Sequence, residues 1–233
     1  MNRLGQSLLL LVLSASAVEA QVQNRRFSVT TRVGAVTPER SASLDAGGLV
    51  GLDTEYSINK YLGVGATLDV SRSNTRREDF IARLRYGNPA VGGGDTVFYQ
   101  YLSQPVNTIN FGVFGLARYP IGKLAPFVMG GVGNYTMLLD TQVSGRAARK
   151  NDLSYTVGGG VWFQLNERTG IQLDVRSLML QNYDRGFLDP SSGRSPNTVF
   201  PEDFPVAPAA KNTAQNTVLT LGFRYIPGAS GGN

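Results

Sequence analysis

Two runs of alternating residues within residues 153–176, LSYTVGGGVWFQLNERTGIQLDVR, constrain the fold more than any other part of the chain. Apolar side chains fall on one face of each run and polar ones on the other, and a polar turn at residues 166–169 joins the runs. A period of two is that of a β-strand, so the segment predicts an antiparallel hairpin. The polar face carries Trp162 and two charged residues, Asp174 and Arg176. A soluble barrel would turn these charges toward solvent, whereas a membrane barrel would turn them inward.

The same alternation recurs in six further segments, so the sequence predicts eight strands in all. The other six lie at residues 27–35, 48–56, 61–71, 108–119, 125–138 and 216–225. The second, fourth and sixth connections are short, whereas the first, third, fifth and seventh are long. This predicts an all-β fold, an eight-stranded antiparallel up-and-down transmembrane β-barrel with short periplasmic turns and long extracellular loops. The alternative is a lipocalin-like soluble barrel with its apolar face turned inward.

Aromatic residues near the strand ends favour the membrane barrel, because aromatic rings concentrate at the boundary between lipid tails and headgroups. The residues that fit such a girdle are Phe27, Tyr56, Tyr61, Tyr119, Phe127, Phe163, Phe223 and Tyr225. Glycines between residues 130 and 133 leave the inward and outward faces of the fifth strand unassigned. Parts of the long segment at residues 72–107 are expected to extend the flanking strands beyond the membrane.

Residues 1–20 have the features of a secretory signal peptide. Arg3 supplies a positive start, residues 8–13 form the short apolar stretch LLLLVL, and Ala20 precedes a plausible cleavage point. We therefore expect a mature chain of residues 21–233 that forms one barrel domain. Cysteine is absent, so this exported chain must be stabilised by something other than disulfides. The net charge of +5 comes mostly from arginine and does not indicate nucleic acid in an exported chain.

Three stretches carry a resemblance to a known family: VGGGVWFQL with IQLDVR, APFVMGGVGNY, and the closing TLGFRY. They resemble the OmpA/OmpX-type eight-stranded outer-membrane β-barrel domain over nearly all of the mature chain. The resemblance implies a location in the outer membrane of Gram-negative-type bacteria and contact with outer-membrane lipid, and we expect a monomer. It also implies that the barrel-assembly machinery reads the last strand, where Thr220, Gly222 and Tyr225 match the family's terminal signal. The next position, where an apolar residue is expected, is Pro227.

Eight charged residues alternate with the apolar ones and would face the barrel interior. They are the bases Arg32, Arg118, Arg176 and Arg224 and the acids Asp53, Glu55, Asp69 and Asp174. An eight-stranded barrel is just wide enough inside for its own side chains, and an unpaired buried charge costs several kcal/mol. We therefore expect a plug of ion pairs and hydrogen bonds. The alternative is a narrow path for ions or small solutes, as in a small OmpW-like channel that passes apolar molecules.

The sequence predicts no enzyme, and with it no catalytic residue, cofactor or metal site. Small barrel enzymes of the outer membrane are expected to use histidine as a base, and the chain has no histidine. A serine nucleophile would need a lysine base. The lysines all fall in predicted turns or loops: Lys60, Lys123, Lys150 and Lys211. The glycine run at residues 158–160 continues into a strand rather than a helix, so it is not a phosphate-binding loop.

Basic residues in the long connections form the candidate binding surface. They are Arg72, Arg76, Arg77, Arg83 and Arg85 in one connection and Arg146, Arg149 and Lys150 in the next. The outer leaflet is rich in anionic sugar phosphates, and arginine binds phosphate through two parallel hydrogen bonds. We expect these residues to contact lipopolysaccharide or another anionic surface glycan. The alternative is that they are solvated loop charges.

Overall fold

The computed structural model describes residues 27–86, 96–139, 149–189, 209 and 211–227. Three short 3₁₀ helices lie at Arg40–Ala42, Arg77–Asp79 and Arg185–Leu188. The strands are β1 (Phe27–Pro38), β2 (Gly47–Ser57), β3 (Leu62–Asn74), β4 (Ile81–Tyr86), β5 (Thr96–Tyr101), β6 (Pro105–Arg118), β7 (Leu124–Leu139), β8 (Arg149–Gln164), β9 (Thr169–Gln181) and β10 (Thr213–Tyr225). Within these ranges no helix has the length and apolarity to cross a membrane.

Eight strands close into an antiparallel barrel in the order β1-β10-β9-β8-β7-β6-β3-β2, while β4 pairs only with β5 in a separate hairpin. The barrel strands coincide with the eight predicted strands, so the predicted fold class is confirmed. Short turns at residues 58–61, 119–123 and 165–168 lie at one end, where β1 begins and β10 ends. We refer to this end as the turn end and to the opposite end, with the longer connections, as the loop end.

The strands run further toward the loop end than the predicted segments. β3 continues to Asn74 and β6 already begins at Pro105, so the connection between them does extend both flanking strands, as expected. The β4–β5 hairpin within that connection was not predicted. The prediction that Arg149 and Lys150 lie in a loop is wrong. Both belong to β8, because the ladder with β7 continues past the apolar residues, pairing Arg149 with Leu138.

The strand register fixes the tilt of the strands. A line of paired residues starting at Val29 passes around the wall through Thr54, Ala66, Val113, Val132, Tyr155, Met179 and Gln215. It returns to the first strand at Glu39, whose backbone N–H donates to the Gln215 carbonyl at 2.8 Å. The line therefore gains ten residues per circuit, from 29 to 39. For eight strands this shift corresponds to a tilt of about 41°.

The outer wall is apolar across the middle of the barrel strands, and the interior is polar. Val33 and Val128 expose 61% and 64% of their surface, whereas Asp53 and Asp174 expose 5% and 1%. This polarity is the reverse of a soluble barrel and is that of a barrel surrounded by lipid. The lipocalin-like alternative is therefore excluded.

Seven of the eight predicted girdle aromatics are exposed on the outer wall near the turn end. Two of them, Tyr61 and Tyr119, stack with their ring centroids 6.2 Å apart. Phe127 is the exception, because it faces inward and lines a small cavity beside Met129. Its assignment to the girdle is wrong. The β7–β8 register pairs Phe127 with the inward Gly160. This pairing identifies the inward face of β7, which the glycines of the sequence had left unassigned.

An apolar cluster fills most of the loop half of the interior. Its buried members are Ala42, Leu44, Phe80, Val106, Tyr135, Met137, Leu178, Leu180, Tyr183, Leu188 and Ala214. Several of them come from the connections between strands, among them Ala42 and Leu188 in two of the 3₁₀ helices. We refer to the cluster with these connecting segments, which include all three 3₁₀ helices, as the cap. Sequence periodicity did not predict the cap, because the connecting segments repeat with neither the strand nor the helix period.

Closure of the barrel depends on a glycine where β1 meets β10. A Cβ on Gly34 would lie 2.0 Å from the Leu219 carbonyl oxygen and 2.8 Å from the Cα of Thr220. Gly34→Ala is therefore expected to strain this seam and to lower the free energy of unfolding by about 1–3 kcal/mol. The measurement is a urea titration that follows the compact form on unboiled SDS gels.

Gly48→Ala is the matched control for the seam variant, because a Cβ on Gly48 would have no neighbouring atom within 4 Å. Its unfolding midpoint should stay near that of the parent protein. Equal midpoints for the two variants would contradict a tightly packed seam.

Candidate functional site

The centre of the barrel holds a chain of ion pairs that crosses the interior. Arg32 Nη2 on β1 lies 2.9 Å from Asp53 Oδ1 and 2.6 Å from Asp69 Oδ1. Arg176 Nη2 on β9 lies 2.6 Å from the other oxygen of Asp53, and its Nε lies 2.8 Å from Asp174 Oδ1. Asp53 thus bridges two guanidinium groups from β1 and β9, strands that are separated in the wall only by β10. We refer to these five residues as the central cluster.

Strand alternation and register explain why these side chains meet. Arg32 lies opposite Gly51, and Gly51 lies opposite Asp69 on the next strand. A Cβ on Gly51 would come within 2.3 Å of Asp69 Oδ1 and 3.0 Å of Arg32 Nη2. Glycine at this position therefore leaves the space through which the guanidinium group of β1 reaches the carboxylate of β3.

A second cluster lies nearer the turn end. Glu55 accepts from Arg118 Nη1 at 2.6 Å through Oε1, and its Oε2 lies 2.8 Å from Arg224 Nη1. The Arg224 guanidinium also stacks on the Trp162 ring, 4.3 Å from its centroid. The structure thus brings all eight predicted interior charges into two clusters, and each has at least one partner of opposite sign.

Little space remains around these charges. One cavity of about 20 Å³ lies toward the turn end beside Trp162, and a second of about 20 Å³ lies toward the loop end beside Tyr135. Arg176 lines both. A single water molecule needs about 10–15 Å³ by the same measure, so each cavity has room for one or two waters. Arg176 and its two carboxylate partners stand where the cavities would have to join.

The cap is held to the barrel mouth by polar contacts as well as by its apolar side chains. Arg40 donates to both carboxylate oxygens of Asp79, at 2.5 and 2.7 Å, and so ties two connections together. The Tyr183 hydroxyl donates to the Ala42 carbonyl at 2.6 Å. Gln104 Nε2 donates to the Leu188 carbonyl at 3.0 Å. Four of the connecting segments at the loop end are therefore bonded to one another.

The Arg40–Asp79 pair has a definite electrostatic consequence. Burial raises the pKa of the Asp79 carboxyl, but the hydrogen bonds from Arg40 and Ser43 and the positive charges of Arg40 and Arg185 together outweigh burial, so the pKa lies below its usual value. The hydrogen bonds that Arg40 donates to Asp79 raise the pKa of Arg40. Both groups are therefore charged throughout the neutral range, and the pair stabilises the cap there.

Part of the predicted basic surface is engaged in contacts within the protein. Arg76 donates to the Leu44 carbonyl at 3.3 Å, and its Nε lies 3.7 Å from Asp45 Oδ1. Arg77 is exposed and lies over the Tyr101 ring, 5.8 Å from the centroid. Arg72 is exposed on the outer wall of β3 rather than in a loop.

The remaining basic residues separate into three groups. Arg149 points outward from β8 and its Nε donates to Asn151 Oδ1 at 3.2 Å. Lys150 points inward, where it donates to the Asn182 carbonyl at 2.9 Å. Arg83 and Arg85 belong to β4, but their side chains lie outside the described part of the structure, as does the whole of Arg146.

Sequence reasoning missed two groups of residues. One is the set of cap contacts such as Arg40 with Asp79, for which the sequence holds no local signal because the partners lie 39 residues apart. The other is a set of outward amides near the loop end, among them Asn74 and Asn134. These could have been found by continuing the alternation of each strand beyond its last apolar residue.

A family model described as "Outer membrane protein beta-barrel domain" matches residues 7–226 of the chain. No curated protein matches the chain in sequence.

Solved structures of small barrels match over most of the chain. Neisserial surface protein A is 12% identical with a TM-score of 0.52, over 86% of this chain and 96% of that one. The attachment invasion locus protein of Yersinia pestis, solved with the heparin analogue sucrose octasulfate, is 9% identical with a TM-score of 0.45, over 87% and 100%. OprG of Pseudomonas aeruginosa is 13% identical with a TM-score of 0.44, over 86% and 95%. At these identities the likeness shows the fold alone.

Removing the bridging carboxylate should destabilise the barrel strongly. Asp53→Asn leaves Arg32 and Arg176 buried with only one carboxylate partner each, and breaking a buried pair in this way costs about 3–5 kcal/mol. The exposed Asp45→Asn is the control, because its pair with Arg76 is long and solvated and is worth less than about 1 kcal/mol. Urea midpoints of refolded protein provide the comparison, and a midpoint for Asp53→Asn close to that of Asp45→Asn would contradict the bridging role.

The cap should loosen in acid. Because the folded pKa of Asp79 is lowered, its pair with Arg40 stabilises the cap fully above the unfolded value of about 3.9 and is lost as the pH falls through the folded pKa. An NMR titration in detergent should show amide signals of residues 40–44 and 75–80 shifting together, with a midpoint below about 3.9. Asp79→Asn should abolish this shared transition. Independent movement of the two segments would argue against the pair as their link.

Proposed function

Because the chain belongs to the outer membrane protein beta-barrel domain family, we propose that it is an integral outer-membrane barrel with a closed interior and a role at the cell surface. The observation that carries this proposal is the position of Arg176 between the two small cavities, held there by Asp53 and Asp174. A solute would have to displace a buried, doubly paired guanidinium group to pass.

The cap supports the same proposal from the loop end. Its apolar cluster fills the mouth above the charges, and contacts such as Tyr183 with Ala42 hold it in place. A path through the barrel would require both the ion pairs of the centre and the apolar packing of the mouth to open. Each carries its own free-energy cost, since buried ion pairs and buried apolar area are both lost on opening.

The charged residues are also poorly suited to catalysis. All eight predicted interior charges are engaged in ion pairs, and the chain has no histidine. A general acid or base needs access to a substrate, whereas the two interior cavities that most of these groups line have room for only one or two waters each. We therefore propose a structural and surface-interaction role without enzymatic activity.

The surface role would lie at the loop end, through contact with lipopolysaccharide or another anionic surface glycan. The basic residues proposed for this are Arg72, Arg76, Arg77, Arg83, Arg85, Arg146 and Arg149. Lys150 is less suited, because it points inward and lies 3.8 Å from Asp152 and 3.9 Å from Asp184. We also propose that residues 1–20 are removed on export, that the barrel is a monomer, and that the assembly machinery reads β10 through Thr220, Gly222 and Tyr225.

Planar-bilayer recording tests whether the interior is closed. The purified barrel should give no steady conductance at neutral pH, because Arg176 and the cap block the path. A large porin recorded in the same bilayers is the positive control, and protease protection verifies that this barrel has inserted. Steady openings would overturn the closed interior and would favour a small OmpW-like channel instead.

A further inference from the structure

The outer wall changes chemistry sharply near the loop end. Beyond the last outward apolar residue of a strand, the next outward position is polar: Arg72 follows Val70, and Asn151 stands beyond Leu153. Gln181 likewise follows Met179 on β9, whereas on β7 the apolar Leu138 lies beyond the polar Asn134 and Thr136. We refer to these outward residues together as the collar, and its members are Arg72, Asn74, Asn107, Asn134, Thr136, Arg149, Asn151, Gln181 and Gln215.

The collar carries positive charge and no negative charge. Every acid of the described barrel strands faces inward and is buried: Asp53, Glu55, Asp69, Asp152 and Asp174. By contrast, Arg72 and Arg149 are outward and exposed. They are the sole outward charged residues of the barrel strands in the ranges that the structure describes. The field at this level of the wall therefore attracts anions.

The two collar arginines lie on one line across four strands. Arg72 pairs with Asn107, Asn107 pairs with Leu138, and Leu138 pairs with Arg149. Three interstrand spacings separate the arginines, which places their Cα atoms about 14 Å apart. Asn107 stands between them, and all four side chains project outward.

Amide and hydroxyl groups surround this line and are already ordered by one another. Thr136 donates to Asn151 Oδ1 at 2.8 Å and to Asn134 Oδ1 at 3.2 Å. Arg149 Nε donates to the same Asn151 oxygen, so the guanidinium group is held against the wall. Side chains that are already ordered lose less entropy when they bind a ligand.

The turn end of the wall has a different composition. Its outward residues are aromatic, such as Tyr56, Tyr119 and Tyr225. One rim thus presents rings suited to a phospholipid interface, and the other presents amides and guanidinium groups. An asymmetric wall of this kind fits an asymmetric bilayer in which only one leaflet carries phosphorylated sugars.

We propose that the collar between β3 and β8 binds the phosphorylated sugar headgroup of an outer-leaflet glycolipid, with Arg72 and Arg149 each contacting one of two phosphates. The amides of Asn107, Asn134 and Asn151 face sugar hydroxyls, and each amide can both donate hydrogen bonds to hydroxyls and accept hydrogen bonds from them. The acyl chains lie below, against the apolar wall. This rests on the proposed function for placing the loop end in the outer leaflet and for glycan contact by Arg72 and Arg149, and it does not depend on a closed interior.

Native mass spectrometry of the purified barrel in detergent tests the site with three probes: lipid A carrying two phosphates, lipid A carrying one, and phosphatidylglycerol. The barrel should retain diphosphorylated lipid A in preference to the other two. Arg72→Ala and Arg149→Ala should each reduce retention by about tenfold, as expected for loss of a charge-assisted hydrogen bond. The compact form on unboiled gels verifies that each variant is folded.

Arg168→Ala is the matched control, because it removes an exposed arginine from the turn after β8, at the opposite end of the barrel. It should leave lipid A retention unchanged. Equal retention of all three lipids, or an equal loss in Arg168→Ala and the collar variants, would overturn the site. Conductance measured on the same preparation reports separately on the closed interior, so failure of one proposal is distinguishable from failure of the other.

Discussion

The structure depends on a single carboxylate that bridges two guanidinium groups in the barrel interior. Asp53 binds Arg32 through one oxygen and Arg176 through the other, at 2.9 and 2.6 Å. Because the wall turns its apolar residues outward, burial of apolar side chains does not stabilise the interior around Asp53. Paired charges fill this part of the interior instead. The glycines that face inward near these residues follow from the same demand for space.

Polarity is arranged along the barrel axis as well as across the wall. Charges occupy the turn half and centre of the interior, while the loop half is closed by apolar residues contributed largely by connections and upper strand ends. Outside, aromatic residues mark one rim and amides the other. The barrel therefore has two chemically distinct ends on both of its surfaces, and the distinct loop end is where a role at the cell surface would reside.

Sequence periodicity predicted the strands well because lipid on one side and charge on the other give a clear period of two. It assigned Asp53 and Arg176 to the interior, but their contact spans 123 residues and depends on curvature that the sequence does not display. Phe127 was misplaced because neighbouring glycines erase the alternation. Arg149 was misplaced because a strand outside lipid has no need of apolar residues, so its start carries no hydrophobic signal.

The order of the interior charges along the chain bears on how such a barrel assembles. β1 to β3 bring one base and three acids, Arg32 against Asp53, Glu55 and Asp69, and β6 adds Arg118. β8 and β9 each add one charge of each sign, Lys150 with Asp152 and Arg176 with Asp174, and only β10, with Arg224 bound to Glu55, makes the interior neutral. A chain that lacked its last strand would thus present an uncompensated negative charge as well as two open edges to hydrocarbon. Electroneutrality is reached at the step that closes the cylinder, which favours insertion of the finished barrel over any partial one.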